Sequence, residues 1–434
     1  MDTYEIMSIG DKLKNLRKKY NLSQDDLAGN QITRNLISQI EHNKANLTKS
    51  SAKIMLTNLK KICDKKNTEV EENIDYLLED ERSQANKVLD RYIRELKDLT
   101  VYRDGAFLSK LSEIEEFLAK WDIKDKKITI FEMAGDYYSN IRDFYNSSMY
   151  YEKAKAIMDG DIHNEDMLSV LRKLSMIYYY MGKYEEDIKC CDFAINHFDN
   201  MSEEYYCIFV YNRSLCYMNL KQHDIALEGF KKIKPITKQM SIDKYYDVCT
   251  QIAACLAELK RYDESLQLYY KILNYVGEKK YEKHIMVFIN VVEIYMLLGN
   301  DEKIKENLNL IFETKKHLNE NFVYLPETYF QIGKIGKNLK DLKLAEEYYE
   351  QALTYAKKNM RYYLEADILC ELIDLYIEQN NKEKILDVMN EFFILTGKEG
   401  KISTKVMYKL IDFYLSIKDI NSLRDILSFS KKFI

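Results

Sequence analysis

Three side chains close together in the sequence, Arg34, Asn35 and Gln39, have the chemistry of base-edge readers. Arginine can pair bidentately with guanine O6 and N7, while asparagine and glutamine carboxamides match adenine N6 and N7. On a helix, positions 34, 35, 38 and 39 emerge on one face, with Thr33 and Ser38 beside the three readers. Lys12, Lys14, Lys18, Lys19, Lys44 and Lys49 surround them with charges suited to phosphates. A second polar set recurs far along the chain: Asn212, Gln251, Asn290 and Gln331, at spacings of 39, 39 and 41 residues. A carboxamide both donates and accepts, so such a ladder can pair with the N–H and C=O groups of an extended peptide. Arg172 and Lys173 at one end suit a peptide carboxylate. Tyr211, Leu215, Met218, Ile289, Met296 and Phe330 are expected to line apolar pockets between the rungs. The competing reading is a ladder that only satisfies helix ends or water.

The first set sits in a stretch that reads as four or five short helices over residues 8–64. Ile9, Leu13 and Leu16, then Leu22 and Leu27, then Leu36, Ile37 and Ile40, then Ile54, Leu56, Leu59 and Ile62 recur at helical spacing. Ser23 is placed as an N-cap with Asp26 three residues on. Gly29-Asn30-Gln31-Ile32 breaks that helix, and Thr33 is placed to cap the next one. A short helix, a tight turn and a polar second helix form the helix-turn-helix pattern.

The residues IGDKLKNLRKKYNLSQDDL and TRNLISQIEHNK resemble the phage-repressor-like (Cro/C1 or Xre) helix-turn-helix class across nearly all of 8–64. That resemblance implies an ion pair between Arg17 and Glu41, a phosphate contact for Gln24, and base-reading positions at Arg34, Asn35 and Gln39. Two departures stand out: His42-Asn43-Lys44 replaces the glycine expected after the glutamate, and the proline that often follows is missing.

From Glu69 to Arg103 there is neither Gly nor Pro, so the sequence predicts a continuous helix joining this head to the rest. Its run of Glu69, Glu71, Glu72, Asp75, Glu79, Asp80 and Glu81 reads as a solvated acidic face, with contact to the basic head as the alternative. Residues 83–121 suggest one or two weak helical units.

Beyond residue 125 a repeat appears. Phe144, Tyr184, His223, Tyr262, Asp301, Leu342, Lys382 and Ile420 fall in register, spaced by 40, 39, 39, 39, 41, 40 and 38 residues. Eight near-equal units mean a solenoid of helix pairs. Six residues before most register points sits a tyrosine, and in the second helices Ser147, Ala226, Ser265 and Ala345 precede Tyr151, Phe230, Tyr269 and Tyr349 by four. Most of the 36 Tyr fall in such packing slots. Stretches such as GKIGKNLKDLKLAEEYYEQAL resemble the tetratricopeptide repeat, with longer helices. That resemblance implies that the ladder positions, five before each tyrosine slot, face the inside of a superhelix. Ile385 and Leu423 depart from the small residue, which suggests a terminal cap or an oligomer surface.

Composition closes off other classes. Thirteen Gly and two Pro in 434 residues disfavour most all-β and doubly wound folds. Residues 1–66 carry a net charge of +6 and the remainder −11, so a basic head precedes an acidic body. The eight cysteines form no CxxC pair and read as reduced core residues of a cytoplasmic protein. No signal sequence or membrane span is apparent. No phosphate loop, dinucleotide fingerprint, zinc-protease motif or nucleophile elbow occurs, so an enzyme, a cofactor and a metal site are not expected. Asp159-Gly-Asp161-Ile-His163-Asn-Glu165 lacks the glycine and final glutamate of a calcium loop.

The expected fold class is therefore all-α: a Cro/C1-type domain at 1–66, a helical linker at 67–82, and a right-handed tetratricopeptide-like α-solenoid at 83–434, with about eight repeats from 125. This arrangement resembles the RRNPP family of peptide-responsive regulators (Rgg, Rap, NprR, PlcR, PrgX). The resemblance implies a cytoplasmic homodimer that binds an operator in double-stranded DNA and a short signalling peptide, in quorum sensing. The site residues on this reading are Gln24, Thr33, Arg34, Asn35, Ser38, Gln39, Lys44 and Lys49 for DNA. For peptide they are Arg172, Lys173, Tyr211, Asn212, Gln251, Asn290 and Gln331. The alternative is a regulator whose repeats bind a protein partner such as a response regulator.

Overall fold

The computed structural model describes residues 5–102, 105–158, 165–275, 277 and 280–433, and every regular element among them is a helix. The calcium-loop-like stretch at 159–164 lies outside the described residues. The chain divides into two compact units, Met1–Leu220 and Lys221–Ile434. The division falls inside the repeat array.

The first unit opens with α1 (Ile9–Lys19), α2 (Gln24–Ala28), α3 (Arg34–Glu41), α4 (Lys49–Lys65) and α5 (Ile74–Leu78). Ser23 and Asp26 form a reciprocal capping box on α2, and the Thr33 hydroxyl accepts from Leu36 N at the start of α3. Each cap satisfies a backbone donor that the helix leaves open. Leu13, Leu16, Leu27, Ile37, Ile40, Met55 and Leu59 close the core of these helices. At the end of α3, Asn43 adopts a left-handed φ of 56°, and its Oδ1 accepts from Gly10 N at 3.1 Å. Asparagine tolerates that conformation, so the chain turns after α3 without a glycine.

The connector is not the continuous helix that the sequence predicts. Helix α4 stops at Lys65, α5 spans only Ile74–Leu78, and α6 (Glu81–Tyr102) begins a new helix. Asn67 turns the chain at φ 52°, and the Asn73 side chain caps α5. Nor is the acidic run simply solvated. Lys12 donates to the backbone oxygens of Tyr76 and Glu79 at 3.0 and 2.9 Å, and Glu72 accepts from Lys19 and from the Tyr20 hydroxyl at 2.7 Å each. Farther along, the Gln84 carboxamide pairs with both Met7 N and Met7 O at 3.1 and 2.8 Å.

Helix α7 (Ala106–Lys120) follows, then the helix pairs α8 (Lys124–Asn140) with α9 (Phe144–Met158) and α10 (Glu165–Tyr180) with α11 (Tyr184–His197). Helix α12 (Glu203–Asn219) completes the unit. The second unit holds α13 (His223–Met240), α14 (Ile242–Glu258), α15 (Tyr262–Tyr275), α16 (Tyr281–Leu298), α17 (Asp301–Lys315) and α18 (Leu325–Asn338). It ends with α19 (Leu342–Lys358), α20 (Tyr362–Glu378), α21 (Lys382–Glu399), α22 (Thr404–Ser416) and α23 (Ile420–Ser430). All eight register residues of the sequence repeat are the first residues of helices.

The repeat has a physical basis in both units. A Cβ on Gly333 would lie 2.5 Å from the Tyr349 ring, so the small residue makes room for the large one. Buried crossing serines are satisfied across the pair: Ser147 Oγ donates to Gly135 O at 2.9 Å, and Ser265 Oγ to Ala253 O at 2.7 Å. The turn between helices is also constant. Arg142, Gly182, Lys221, Lys260, Gly299, Lys340, Asn380 and Lys418 all have positive φ, each two residues before a second helix. In seven of these turns the next residue then donates back to the carbonyl of the tyrosine-slot position, as Asp143 does to Tyr138 and Asn381 to Tyr376, both at 2.9 Å. That bond satisfies a carbonyl left open by the first helix.

Candidate nucleic-acid interface and repeat face

Helix α3 turns Ile37 and Ile40 into the head core and leaves Thr33, Arg34, Asn35 and Gln39 exposed, with Ser38 half-buried beside them. The Arg34 side chain is 68% exposed, and its one ion pair among the described residues, with Asp25 at 3.6 Å, is equally exposed. Such surface pairs contribute about 0–1 kcal/mol, so Arg34 can exchange this partner for a base at little cost. Lys44 and Lys49 are exposed on the flank of the helix and at the start of α4.

Beneath this face lies a fixed anchor. Arg17 grips Glu41 in fork fashion, Nε to Oε1 at 2.6 Å and Nη2 to Oε2 at 3.0 Å, and its Nη1 donates to Leu22 O at 3.1 Å. Gln24 Nε2 adds a bond to Glu41 Oε2 at 2.8 Å. Burial pushes the Glu41 carboxyl up, but the bonds from Arg17 and Gln24 outweigh it and hold the group below its ordinary value. One N–H of Gln24 is thus used inside the motif, and its second N–H and its oxygen remain for an outside partner. Two lysines assigned to phosphate by sequence are elsewhere: Lys12 is 2% exposed, and Lys19 is tied to Glu72. Neither position differs in sequence character from its exposed neighbours, because the acceptors come from a segment more than fifty residues away.

On the repeats, the structure separates the ladder between its two units. In the first, Lys173 sits between Glu132 and Asp136 at 2.8 Å to each, so its charge is already matched. Arg172 has no ion pair among the described residues and is half-buried beside it. Tyr211 and Asn212 are half-buried on α12, and Asn212 Nδ2 donates to Ser175 Oγ at 3.0 Å. In the second, Gln251, Asn290 and Gln331 lie at equivalent places on α14, α16 and α18, all half-buried. Two expected pocket walls are core instead: Ile289 and Phe330 are 3% and 6% exposed. Their apolar faces are used by neighbouring helices, so they offer nothing to a ligand.

Sequence reasoning missed Asp187, which is fully buried among Ser175, Cys191 and Cys216. The repeat itself carries the signal, since Asp187 stands where the other repeats place Ser147, Ala226, Ser265 and Ala345. All eight cysteines are buried, and no disulfide joins any of them among the described residues. Among the described residues no acidic, histidine or cysteine cluster is arranged to hold a metal ion, and no helix is long and apolar enough to cross a membrane.

A tetratricopeptide repeat family model matches residues 326–359, the segment that runs from α18 to the end of α19. Together with the eight in-phase helix starts, this makes the chain an all-α protein of tetratricopeptide-like repeats. Similar solved structures include a tetratricopeptide repeat protein from Parabacteroides merdae, at 15% identity and a TM-score of 0.49, covering 64% of this chain and 98% of that one. Aspartyl phosphate phosphatase F from Bacillus subtilis matches at 15% identity and 0.48, covering 93% and 97%. A Rap protein complexed with competence and sporulation factor matches at 14% identity and 0.45, covering 90% and 98%. No curated protein sequence matches significantly.

Proposed function

We propose that this protein is a DNA-binding transcription regulator, acting in the cytoplasm as a homodimer, whose repeats bind a short signalling peptide that modulates operator binding. The DNA-binding domain is residues 1–66, the linker 67–82 and the repeat domain 83–434. One observation carries the reading: α3 presents Arg34, Asn35 and Gln39 outward while Arg17, Glu41 and Gln24 lock the helix from beneath. A recognition helix needs both properties, because base readout requires side chains held in register with the groove. The net charge of +6 on residues 1–66 supplies the attraction to phosphate, and the acidic remainder leaves that attraction to the head.

For the repeats, the support is the set of polar side chains at one structural position. The carboxamides of Gln251 and Gln331 make no hydrogen bond among the described residues and are accessible to a ligand. Matched charges around Lys173 leave Arg172 as the better carboxylate partner at that end. Selection of genomic fragments on the full-length protein, with and without a pooled heptapeptide library, tests both halves. Enrichment of a palindromic site, changed by the library, is the expected result. Enrichment of no sequence would remove the DNA-binding reading, and a stoichiometric co-purifying protein with no peptide effect would move the repeats to protein binding.

A further inference from the structure

Asp187 is a carboxylate without a cation. It is 0% exposed, at the start of α11, and has no ion pair among the described residues. Its oxygens are instead held by thiols: Cys191 Sγ donates to Oδ1 at 3.2 Å, and Cys216 Sγ donates to Oδ2 at 3.0 Å. The Ser175 hydroxyl lies 3.3 Å from Cys191 Sγ. On the far side, Ser175 Oγ receives Asn212 Nδ2 at 3.0 Å. Residues of three helices, α10, α11 and α12, thus form one buried chain that ends at a half-buried carboxamide.

The protons in this chain have a single consistent direction. Burial raises the Asp187 carboxyl above its ordinary value against the pull of its hydrogen-bond donors; in its ionised form it only accepts, and each thiol or hydroxyl has one proton to give. The protons of Cys191 and Cys216 go to Asp187. That of Ser175 goes to Cys191 Sγ, whose own proton is committed to the carboxylate. Ser175 Oγ can then only accept from Asn212, so the Asn212 NH2 group faces inward. Its Oδ1 has no partner among the described residues and is left for the outside. With a neutral small residue at position 187, as at 147 and 265, nothing would fix that orientation, since a hydroxyl can rotate to serve either end of a carboxamide.

We propose that Asp187 is a positioning residue that fixes the polarity of the Asn212 rung, so that this repeat presents an acceptor and recognises an N–H donor such as a peptide backbone amide. The assignment rests on the reading of the repeat face as a peptide site. It fixes the Oδ1 of the first-unit rung as an outward acceptor, whereas Gln251 and Gln331 have no such chain among the described residues. The cluster of buried cysteines also gains a purpose beyond packing, since thiols are weak donors that can surround a carboxylate in little space.

The test separates the relay from the ligand. The full chain, labelled with ¹⁵N-asparagine, gives a side-chain signal for Asn212 that is assigned by its loss in Asn212→Ala. In Asp187→Asn one of the two acceptor oxygens is replaced by an NH2 donor facing a thiol, so the proton order of the relay is broken and this signal is expected to shift and its amide protons to exchange at least tenfold faster. Asp187→Ser, which installs the crossing residue used at 147 and 265, gives the same readout if the first variant folds poorly. An unmoved signal in folded variants would overturn the proposal whatever peptides do. The ligand half uses a pooled heptapeptide library and the same library N-methylated on the backbone. Wild-type protein should retain the first at least tenfold better than the second, with the preference reduced in Asp187→Asn. Equal retention of both would overturn the donor assignment. No retention of either would remove the peptide reading itself, and with it the ligand half of the proposal, while the signal still reported the relay.

Discussion

Glu41 shows how one buried carboxylate organises the head at the scale of single residues. Its side chain is 2% exposed and accepts from Arg17 twice and from Gln24 once, so removing Arg17 strands a charge. Arg17→Ala should cost about 3 kcal/mol, the low end for a broken buried pair because the guanidinium keeps some solvent. Hydrogen exchange of α1–α3 amides checks this, with α18 and α19 as an unaffected internal control. The pH dependence has a defined sign. Glu41 is held below its ordinary value of 4.5, so its stabilising contribution is complete above that pH and is lost as pH falls through the lowered value. In Arg17→Ala the burial that raises the group is opposed only by Gln24 and the nearby Lys14 charge, so the gap between variant and wild type should narrow below about pH 4.5. Unequal exchange at pH 7 that stayed constant to pH 3 would contradict this. The types of residue in the motif are legible in the sequence; the fate of Lys12 is not. A buried lysine satisfied by the Tyr76 and Glu79 carbonyls reads the same, in one dimension, as the exposed lysines beside it.

At the scale of the element, the repeat turn is the most regular feature and the most readily changed. Eight turns share a left-handed residue, and only Gly182 and Gly299 meet that demand without a Cβ. A non-glycine residue there costs about 1–2 kcal/mol, part of which returns as the greater unfolded freedom of glycine. Lys340→Gly should therefore stabilise the second unit by about 0.5–1 kcal/mol, seen as a raised denaturation midpoint with an unchanged slope. Gly333→Ala should do the reverse, by about 1–3 kcal/mol, because its Cβ would enter the Tyr349 ring. If both substitutions moved stability in the same direction, the account of the repeat would be wrong. Helix starts are legible because eight copies average out the noise of any one turn. The connector has no copies. Absence of Gly and Pro suggests helix there, yet Asn67 and Asn73 end one helix and begin another through backbone and cap geometry that a single occurrence does not announce.

Across the whole molecule, charge divides the labour. On the proposed function, a head of +6 attached to a body of −11 would concentrate affinity for nucleic acid in about sixty-six residues. Lys49 is exposed at the start of α4, the place of a phosphate contact in the proposed function. Lys49→Ala should weaken binding to all DNA sequences alike and lower the magnitude of the salt slope by about one. An unchanged slope in a filter-binding titration would remove Lys49 from the interface. The central claim, that α3 reads sequence, is met most directly by Arg34→Ala, because Arg34 is exposed, weakly paired and remote from the head core. The measurement is selection of double-stranded sequences from a random pool by the wild-type and Arg34→Ala full-length proteins at matched salt. The account predicts that the wild type enriches a palindromic site and that the variant loses about 1–3 kcal/mol there, with preference relaxed at one base pair of each half-site. Enrichment of the same site with undiminished preference by the variant, or of no site by the wild type, would contradict it.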